Sequence, residues 1–353
     1  MNLTAIALIL ALNAAPAEAE AAQEHPACEP CGGGDHSRQL GGHVFLFPLL
    51  QQNAFVSSYV GLRSGVVMYD VPDLPIGSLG AVDVSLVGYQ QTLDLGVRLT
   101  RWLGLWGQAR GILYSGLTVG SFVSDGASFQ AGGEGGVVVR LLHLESSGTQ
   151  LSLRAGGGYQ GGRDLTLLPL LNAIVDTPGV TLVSILRGEL GELLVVDTSE
   201  TTVNGGLFFA QALGTPILGL QASASVARAW RTRKPFDPAT GTRIDRDTTA
   251  TRVNLAGALS ADFKSFGVPL ALMGEYLFTA GRQTEVELAR TDLNTSSVAL
   301  GLYYTGRRNL QLGLVGGAVL HAEPRIGVDA EGNPAQSGRP RLNTAQLVLR
   351  YIW

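Results

Sequence analysis

The sequence predicts an all-β protein, a transmembrane antiparallel up-and-down β-barrel of about twelve strands. Hydrophobic residues make up 45% of the chain, yet beyond the N-terminus no apolar run reaches the roughly 20 residues of a transmembrane helix. Apolar residues instead recur at every second position, and the segments between these stretches alternate between short and long. Both patterns are typical of a barrel that faces lipid.

The stretch Thr344–Trp353 shows the alternation most clearly. Its apolar face consists of Ala345, Leu347, Leu349, Tyr351 and Trp353. The opposite face carries Gln346 and Arg350. Apolar residues at every second position indicate a β-strand with one apolar and one polar face. A membrane barrel turns the apolar face towards lipid, whereas a soluble β-sandwich would bury it.

Residues Met1–Ala19 are typical of a secretory signal peptide. Leu3–Leu12 forms a short apolar core, and Ala17-Glu18-Ala19 supplies a small-x-small cleavage pattern. No basic side chain precedes the apolar core, so an uncleaved N-terminal anchor is the alternative interpretation.

Residues 20–53 are predicted to form a periplasmic N-terminal tail. Within it Cys28 and Cys31 stand between His25 and His36, and this set of ligands suits a soft metal ion. A local disulfide between the two cysteines is favoured, because export leads to an oxidising compartment.

The barrel is predicted to span Ala54–Trp353. Just before it, Gly41–Gln52 either lines the barrel wall or tucks into its mouth. The predicted strands are Ala54–Asp70, Ala81–Arg101, Leu105–Ser115, Phe129–Leu141, Leu151–Tyr159, Thr201–Leu213, Ile217–Trp230, Thr251–Phe263, Pro269–Gly281, Asn294–Thr305, Leu310–Ala322 and Leu342–Trp353.

The second predicted strand changes phase along its length. Val84 and Leu86 occupy even positions, whereas Leu93 and Leu95 occupy odd ones. We expect a β-bulge near Gly88 to produce this slip.

The connections sort into two length classes that alternate along the chain. The short ones are Trp102–Gly104, His143–Gly148, Gly214–Pro216, Lys264–Val268 and Gly306–Asn309. The long ones are Gly116–Gly126, Gly162–Glu200, Arg231–Ala250, Arg282–Leu293 and Glu323–Arg341. Short periplasmic turns and longer extracellular loops produce this order when both termini are periplasmic and the strand number is even.

The loop Gly162–Glu200 is unusually apolar. Apolar residues at helical spacing predict two short helices that break at Thr177–Gly179. These residues include Leu182, Ile185, Leu186, Leu190 and Leu193. Such a loop has three alternative roles: packing on the barrel rim, constricting or capping the lumen, or docking a partner.

Inward positions are the candidates for chemistry in the lumen. The charged ones are Asp94, Arg98, Arg110, Glu134, Arg140, Arg154, Arg252, Asp262, Glu275 and Arg350. The other inward polar ones are Asn204, Asn254 and His321. Asp94, Arg110 and Glu134 are expected to form a cross-strand ion ladder. The functional interpretation is a charged constriction that selects small polar solutes, and the excess of arginine favours anions. The alternative is a paired network that fills a narrow interior.

Enzymatic activity is not expected. No serine motif accompanies His143 or His321, and no Gly-rich phosphate loop or cofactor fingerprint lies on suitable structure. The sequence therefore predicts neither a cofactor nor a reaction.

With its terminal strand, the chain resembles outer-membrane β-barrels of Gram-negative bacteria over Ala54–Trp353. The stretches Gln91–Leu105 and Gly148–Gly156 resemble an uncharacterised myxobacterial type of such barrels. The resemblance implies an outer-membrane location and a C-terminal assembly signal at Leu347, Leu349, Tyr351 and Trp353. It also implies lipid, lipopolysaccharide and the barrel-assembly machinery as partners. A formal net charge of −4 gives no basis for binding nucleic acid.

Three functions remain open. The first is passive passage of small solutes through a narrow pore that the loop Gly162–Glu200 constricts or caps. The second is a non-conducting barrel that displays surface loops for adhesion or assembly. The third is a barrel that takes up apolar ligands, with Leu165–Val175 as the first contact.

Overall fold

A computed structural model of the chain describes residues 38–75, 80–116, 127–165, 195–214, 216–234, 236–237, 242–285, 291–322, 326–328 and 334–353. Several predictions fall outside these residues. They concern the signal peptide 1–19, the Cys28 and Cys31 pair with His25 and His36, and the helices within 166–194. No helix of the described part is long and apolar enough to cross a membrane.

Twelve antiparallel strands close into one barrel, as the sequence predicts. The strands are β1 (Tyr59–Pro75), β2 (Ala81–Arg98), β3 (Leu103–Gly116), β4 (Ala127–Leu144), β5 (Thr149–Leu165), β6 (Val195–Ala212), β7 (Leu218–Lys234), β8 (Arg246–Asp262), β9 (Leu270–Glu285), β10 (Thr291–Tyr304), β11 (Leu310–Val319) and β12 (Arg341–Ile352). Each strand pairs with its neighbours in the chain. Two-residue strands pair at Gln39–Leu40 with His43–Val44 and at Phe236–Asp237 with Thr242–Arg243, and Ile326–Val328 pairs with Pro334–Gln336. One 3-10 helix, Phe263–Phe266, follows β8.

The barrel closes between its last and first strands. The pairing of β12 with β1 runs from Ile352 opposite Tyr59 to Arg341 opposite Asp70. Beyond it, the Trp353 amide donates to the Ser58 carbonyl at 3.0 Å. Closure gives every barrel strand a partner on both sides, so the barrel has no edge strand.

The outer surface is apolar at every second position. On β12 the predicted outward residues Leu347, Leu349 and Tyr351 are exposed, whereas Val348 and Arg350 are buried. Exposed aromatic side chains surround the wall in two groups. Towards one end lie Trp102, Phe266, Tyr351 and Trp353, and towards the other lie Tyr89, Phe129, Tyr159 and Trp230. This surface has the form of a lipid-facing belt between two aromatic girdles.

The two ends of the barrel differ in their connections. Residues 99–102, 145–148, 213–217, 263–269 and 305–309 join strands at what we call the short-turn end. The opposite, long-loop end has the connections 76–80, 117–126, 166–194, 235–245, 286–290 and 320–340. Several of these are shorter than predicted because the strands continue past the apolar belt. For example, β5 and β6 include both ends of the predicted loop Gly162–Glu200, paired as far as Leu165 opposite Val195.

The predicted bulge near Gly88 is wrong. The register between β1 and β2 runs without a shift from Tyr59 opposite Gly96 to Val71 opposite Val84. The apolar residues at even positions point into the barrel, where Val84 and Leu86 pack against Val71 and Leu74. The change of pattern therefore marks an interior apolar cluster near the long-loop end and not a slip of the strand. Register shifts occur between Val71 and Leu74 and between Arg140 and Leu142.

The first barrel strand begins at Tyr59 and not at Ala54. The residues before it, Arg38–Ser58, lie inside the barrel and are called the inner segment below. These residues contact the inward-facing side chains of the barrel wall. The described part of the predicted tail 20–53 is thus an internal element of the barrel.

The belt can be tested by placing a charge on it. Leu314 is 65% exposed and lies on β11 between Leu302 and Leu347 on the outer face. We expect Leu314→Arg to lower the free energy of unfolding by about 2–4 kcal/mol, because a cation in the middle of the hydrocarbon region loses hydration. Urea titration in lipid vesicles measures this loss.

The matched control is Leu320→Arg, one residue beyond the end of β11. Near an interface the expected cost is about 0–1 kcal/mol. Equal effects of the two substitutions would contradict a lipid-facing belt.

Candidate functional site

The inner segment crosses the barrel interior near the short-turn end. Its residues Phe45, Leu46, Phe47, Phe55 and Val56 are each exposed by 1% or less. Apolar residues reach this level of burial only when other groups surround them on all sides. The segment is therefore a packed plug of the lumen.

Small inward residues of the wall make room for these side chains. Leu46 packs against Ala258, Ala271 and Met273, which line β8 and β9. The ring of His43 lies so close to β7 that a Cβ on Gly219 would overlap it. Glycine and alanine on the inward face thus match the bulk of the plug, which is how a barrel interior is filled to native density.

Side chains of the wall satisfy the backbone of the inner segment. Phe47 donates its amide to Gln311 Oε1 at 3.1 Å. Its carbonyl accepts from Gln311 Nε2 at 3.2 Å and from Arg350 Nη1 at 3.0 Å. The Glu275 carboxylate accepts from the amides of Leu49 and Leu50 at 2.8–2.9 Å. Buried amides and carbonyls away from a sheet need such partners.

The other side of the barrel holds the segment in the same way. Gln221 Nε2 donates to the Leu46 carbonyl at 2.8 Å, and Gln150 Nε2 donates to the Ala54 carbonyl at 2.5 Å. Arg154 reaches across to two plug side chains. Its Nη1 donates to Gln52 at 2.8 Å and its Nη2 to Asn53 at 3.1 Å.

A buried ion cluster joins the strands at the point of closure. Asp94 accepts from Arg63 Nη2 and from Arg350 Nη2, both at 2.9 Å. Gly61 stands between Asp94 and Arg350 in the strand register. A Cβ on Gly61 would lie 2.5 Å from Arg350 Cγ, so only glycine lets this arginine cross β1 to the carboxylate.

The predicted ladder of Asp94, Arg110 and Glu134 does not form. Asp94 is bound by the two arginines of β1 and β12, and Arg110 Nη2 instead donates to Gln160 at 3.0 Å. Across the strands Asp94 faces Gln108, which separates it from Glu134 on the next strand. The register therefore places a neutral residue where the ladder needed a cation.

The remaining predicted lumen residues divide by depth. Arg154 and Glu275 are buried and bind the plug. Arg98 lies at the short-turn end of β2, and Arg140 lies at the register shift of β4. The others make no hydrogen bond to the plug among those described. Arg252, Asn204 and Asn254 are half-buried on inward positions, Asp262 is buried and accepts from Thr305, and His321 is exposed beyond the end of β11.

Above the plug, on its long-loop side, lies a cavity of about 340 Å³. Plug residues Phe47–Asn53 form its floor, and Arg63, Asp94, Arg110, Glu134, Trp106 and Gln346 are among its walls. A second cavity of about 210 Å³ adjoins it and shares Arg110 and Glu134. The lumen is thus a polar chamber closed at the base by the inner segment.

A serine–histidine contact occurs inside the barrel. His43 Nε2 lies 2.9 Å from Ser260 Oγ, and His43 Nδ1 lies 2.9 Å from the Pro216 carbonyl. The histidine and the serine are 0% and 1% exposed, so no substrate reaches them. A backbone carbonyl, and not a carboxylate, orients the ring. The pair therefore anchors the plug to the short-turn end.

Among the described residues no group of three or more His, Cys, Asp or Glu side chains is arranged to hold a metal ion.

Several residues that form the ion cluster or hold the plug are absent from the predicted set. The inward position of Arg63 could be predicted from the sequence, since Arg63 is out of phase with the outward residues Leu62 and Val66 on β1. Gln150, Gln221 and Gln311 are also in phase with the inward face, but the predicted set of lumen candidates contains no glutamine. For Gly41–Gln52 the sequence left open whether it lines the wall or tucks into the mouth, because the contacts that bury the inner segment come from residues far away in the chain.

No protein-family model and no curated protein matches this chain. Among solved structures it is similar to the translocator domain of the autotransporter NalP from Neisseria meningitidis, with 9% identity, a TM-score of 0.49, and coverage of 84% of this chain and 88% of that one. It is similar to an outer membrane channel from Pseudomonas putida F1 (14%, TM-score 0.47, coverage 84% and 96%). It is also similar to the Pseudomonas putida toluene transporter TodX (11%, TM-score 0.39, coverage 84% and 90%). At such identities the likeness is one of barrel architecture alone, and the resemblance to myxobacterial-type barrels stays a prediction.

The ion cluster should be sensitive to loss of its acid. Asp94→Asn leaves two buried guanidinium groups without a counter-charge, so we expect the free energy of unfolding to fall by about 3–5 kcal/mol. Urea titration measures this change. Asp247→Asn, at an exposed position of β8, serves as the control and should change stability by less than about 0.5 kcal/mol. A similar small effect at Asp94 would show that the cluster does not stabilise the closure.

We expect low pH to weaken the docking of the inner segment in the lumen. Burial lowers the pKa of His43, and Arg38 adds to this, whereas the Pro216 carbonyl and Asp262 oppose it. The docked segment therefore binds fewer protons than a free one, whose histidine titrates near about 6.5. The histidine's contribution to docking is complete above that pH and is lost as the pH falls below it.

We expect the amides of residues 44–57 to lose protection between about pH 7.5 and about pH 5.5, after correction for intrinsic exchange, because this window brackets the free histidine's pKa. Hydrogen exchange measured by mass spectrometry checks this. In His43→Gln the pH-dependent part should disappear. An unchanged pH dependence in that variant would assign the effect to another group.

Proposed function

We propose that the protein is an outer-membrane barrel that passes small polar solutes through a narrow lumen, with the inner segment Arg38–Ser58 as the barrier. One observation supports this most directly. A polar chamber occupies the lumen, and a single segment of the chain closes its base. No cofactor or enzymatic step is part of the proposal.

The apolar belt and the two aromatic girdles support a membrane location. Orientation is part of the proposal. We place the short-turn end and both termini in the periplasm, since outer-membrane barrels keep their short turns there. Lipid, lipopolysaccharide and the barrel-assembly machinery are the partners that this location implies.

The way the plug is held favours a barrier that can move. Its backbone is bound by side chains such as Gln311, Glu275 and Gln221, and not by wall backbone groups. Among the described backbone hydrogen bonds, the link to the wall occurs at Ser58, where the segment enters β1. The segment can therefore leave the lumen without breaking the ladder that holds the barrel together.

The charges of the chamber favour anions. Three arginines, Arg63, Arg110 and Arg350, line it together with the two acids Asp94 and Glu134. A net positive lining attracts anions and repels cations in a narrow pore.

Three alternatives remain distinct from this proposal. Residues 166–194 form a second barrier if that loop caps the long-loop end. A non-conducting barrel that displays its loops needs no movable plug at all. An apolar-ligand barrel would use Leu165–Val175, of which residues 166–175 lie outside the described part, and it gains no support from the polar chamber.

Single-channel conductance in planar bilayers tests the proposal with four proteins. We expect the full chain to be closed with rare, brief openings. The double variant Glu275→Ala with Gln311→Ala should open at least about tenfold more often, because three plug amides and one plug carbonyl lose partners. Reversal potentials in a salt gradient should show anion preference.

The control is Arg252→Ala, an inward residue of β8 that lies outside the plug contacts of the described part. It should behave like the unaltered chain. A fourth protein replaces residues 166–194 with Asn-Gly, which suits a tight turn between the paired Leu165 and Val195. Openings caused by this deletion alone would identify the loop as the barrier. Silence of all variants would favour the non-conducting barrel.

A further inference from the structure

A separate cavity of about 170 Å³ lies at the short-turn end of the barrel. Three parts of the chain meet around it: the inner segment at Arg38–Val44, the connection 263–269 and the connection 305–309. It shares no lining residue with the chamber above the plug. The cavity is therefore a distinct feature, placed where the inner segment meets the turns.

Cationic side chains dominate the lining of this cavity. Four cations and one acid line it, namely Arg38, Lys264, Arg307, Arg308 and Asp262. The lining thus carries an excess of three positive charges, in a chain whose formal net charge is −4. Like charges that the fold brings together repel each other, and they attract anions from solution. The cluster therefore favours a bound anion.

One of these cations, Arg38, is removed from water. It is 5% exposed, and its Nη1 donates to the Phe45 carbonyl at 3.1 Å. Its Nη2 donates to the Arg308 carbonyl. Both acceptors are neutral, and Arg38 forms no ion pair within the described part of the chain. Buried charges are nearly always paired, so the charge of Arg38 favours an anion in the cavity beside it, even without a hydrogen bond to it.

The single acid of the lining is engaged by the turns. Asp262 is buried, and its Oδ1 accepts from the Lys264 amide and from the Thr305 hydroxyl, both at 3.0 Å. The side chains of Lys264 and Arg307 are exposed, and neither forms an ion pair with another described residue. These two cations can therefore bind an anion that arrives from solution.

The size and charge of the cavity select the kind of anion. Its volume lies below the range of about 300 to 1,000 Å³ that holds drug-sized ligands, so it admits a group of ionic size. Arginine binds the oxygens of carboxylates and phosphates, often through two parallel hydrogen bonds. An excess of three positive charges attracts a dianion about twice as strongly as a monoanion. A phosphate monoester carries a charge of about −1.5 to −2 at neutral pH.

We propose that this cavity binds a phosphate group, as inorganic phosphate or as a phosphate monoester. Lys264 and Arg307 donate to its oxygens, and Arg38 adds its charge from the inner segment. The bound group links the inner segment to the two turns and favours the docked plug over the released one. This inference goes beyond the proposed function, because the site lies outside the chamber and its occupation does not require passage through the lumen.

Isothermal titration calorimetry of the full chain in neutral detergent micelles tests the proposal, with inorganic phosphate and acetate as probes at about pH 8, where phosphate is a dianion. We expect phosphate to bind at least about tenfold more tightly than acetate, because its second charge about doubles the Coulomb attraction. The double variant Lys264→Gln with Arg307→Gln should weaken phosphate binding at least about tenfold, since two charge-assisted hydrogen bonds are lost.

The matched control is Arg101→Gln, which removes an exposed cation of the short-turn end that does not line the cavity. It should bind phosphate as the unaltered chain does. Equal affinity of the double variant and the unaltered chain would overturn the proposal, as would equal binding of phosphate and acetate. A loss in Arg101→Gln as large as in the double variant would also overturn it, because the general positive charge of this end would then account for binding.

Stability separates binding from folding in these variants. Lys264 and Arg307 are exposed, so the fold should tolerate both substitutions. We expect the urea midpoint of the double variant to stay the same or rise, because the loss of two cations relieves repulsion. A lower midpoint would assign the two residues a structural role and contradict an anion site.

Free phosphate and a lipid headgroup share this chemistry, and vesicles distinguish them. Phosphatidic acid carries a phosphate monoester in its headgroup. Weaker binding of inorganic phosphate in vesicles with phosphatidic acid, relative to vesicles with equal negative charge from phosphatidylglycerol, would identify the headgroup as the ligand. Equal binding in the two kinds of vesicle would identify soluble phosphate.

Hydrogen exchange measured by mass spectrometry follows the link to the inner segment. Phosphate should slow exchange of the amides of residues 38–46 in the unaltered chain and not in the double variant, with sodium chloride at equal ionic strength as the reference. Unchanged exchange would overturn the link. Phosphate binding in a chain that never conducts would leave this inference standing and contradict passage through the lumen. A conducting chain that binds no phosphate would retain the pore and overturn the inference.

Discussion

The structure depends on one constraint: every backbone amide and carbonyl of the wall must find a partner within the chain, because lipid supplies none. A closed barrel meets this constraint when its last strand pairs with its first. The run of pairs from Ile352 with Tyr59 to Arg341 with Asp70 provides that closure. On the inner side the Asp94 cluster joins the same strands, with Gly61 as the gap through which Arg350 passes. The backbone pairing and the ion cluster thus both stabilise the junction of β12 with β1.

Inside the barrel, buried polar groups must also find hydrogen-bond partners. There the requirement falls on the inner segment, which takes no part in the backbone hydrogen bonds between the barrel strands. The inner segment exposes amides and carbonyls inside the barrel, and glutamine, glutamate and arginine side chains of the wall bind them. Its apolar rings pack where inward residues are small. The result is a segment that is well packed and hydrogen-bonded but independent of the wall's own backbone ladder. Such independence distinguishes a removable barrier from a structural strand.

Charge is arranged unevenly along the lumen. At the level of the plug, charged side chains of the wall bind the inner segment. Glu275 accepts hydrogen bonds from two of its amides, and Arg154 donates to two of its side chains. Above the plug Asp94 binds two arginines, while Arg110 and Glu134 border both cavities.

The sequence by itself determined the fold class, the number of strands and the outward face of β12, because a strand's side-chain period is local and a belt in lipid selects apolar residues at each outward position. It also identified Arg154, Glu275 and Arg350 as inward. Only the tertiary structure decided that Arg38–Ser58 enters the lumen, that Asp94 binds Arg63 and Arg350, and that Val84 and Leu86 face inward without a bulge. These features arise from register and from contacts between residues far apart in the chain. Alternation along one strand determines which face of the wall a residue occupies. Which residues it contacts on that face depends on the register between strands around the closed barrel.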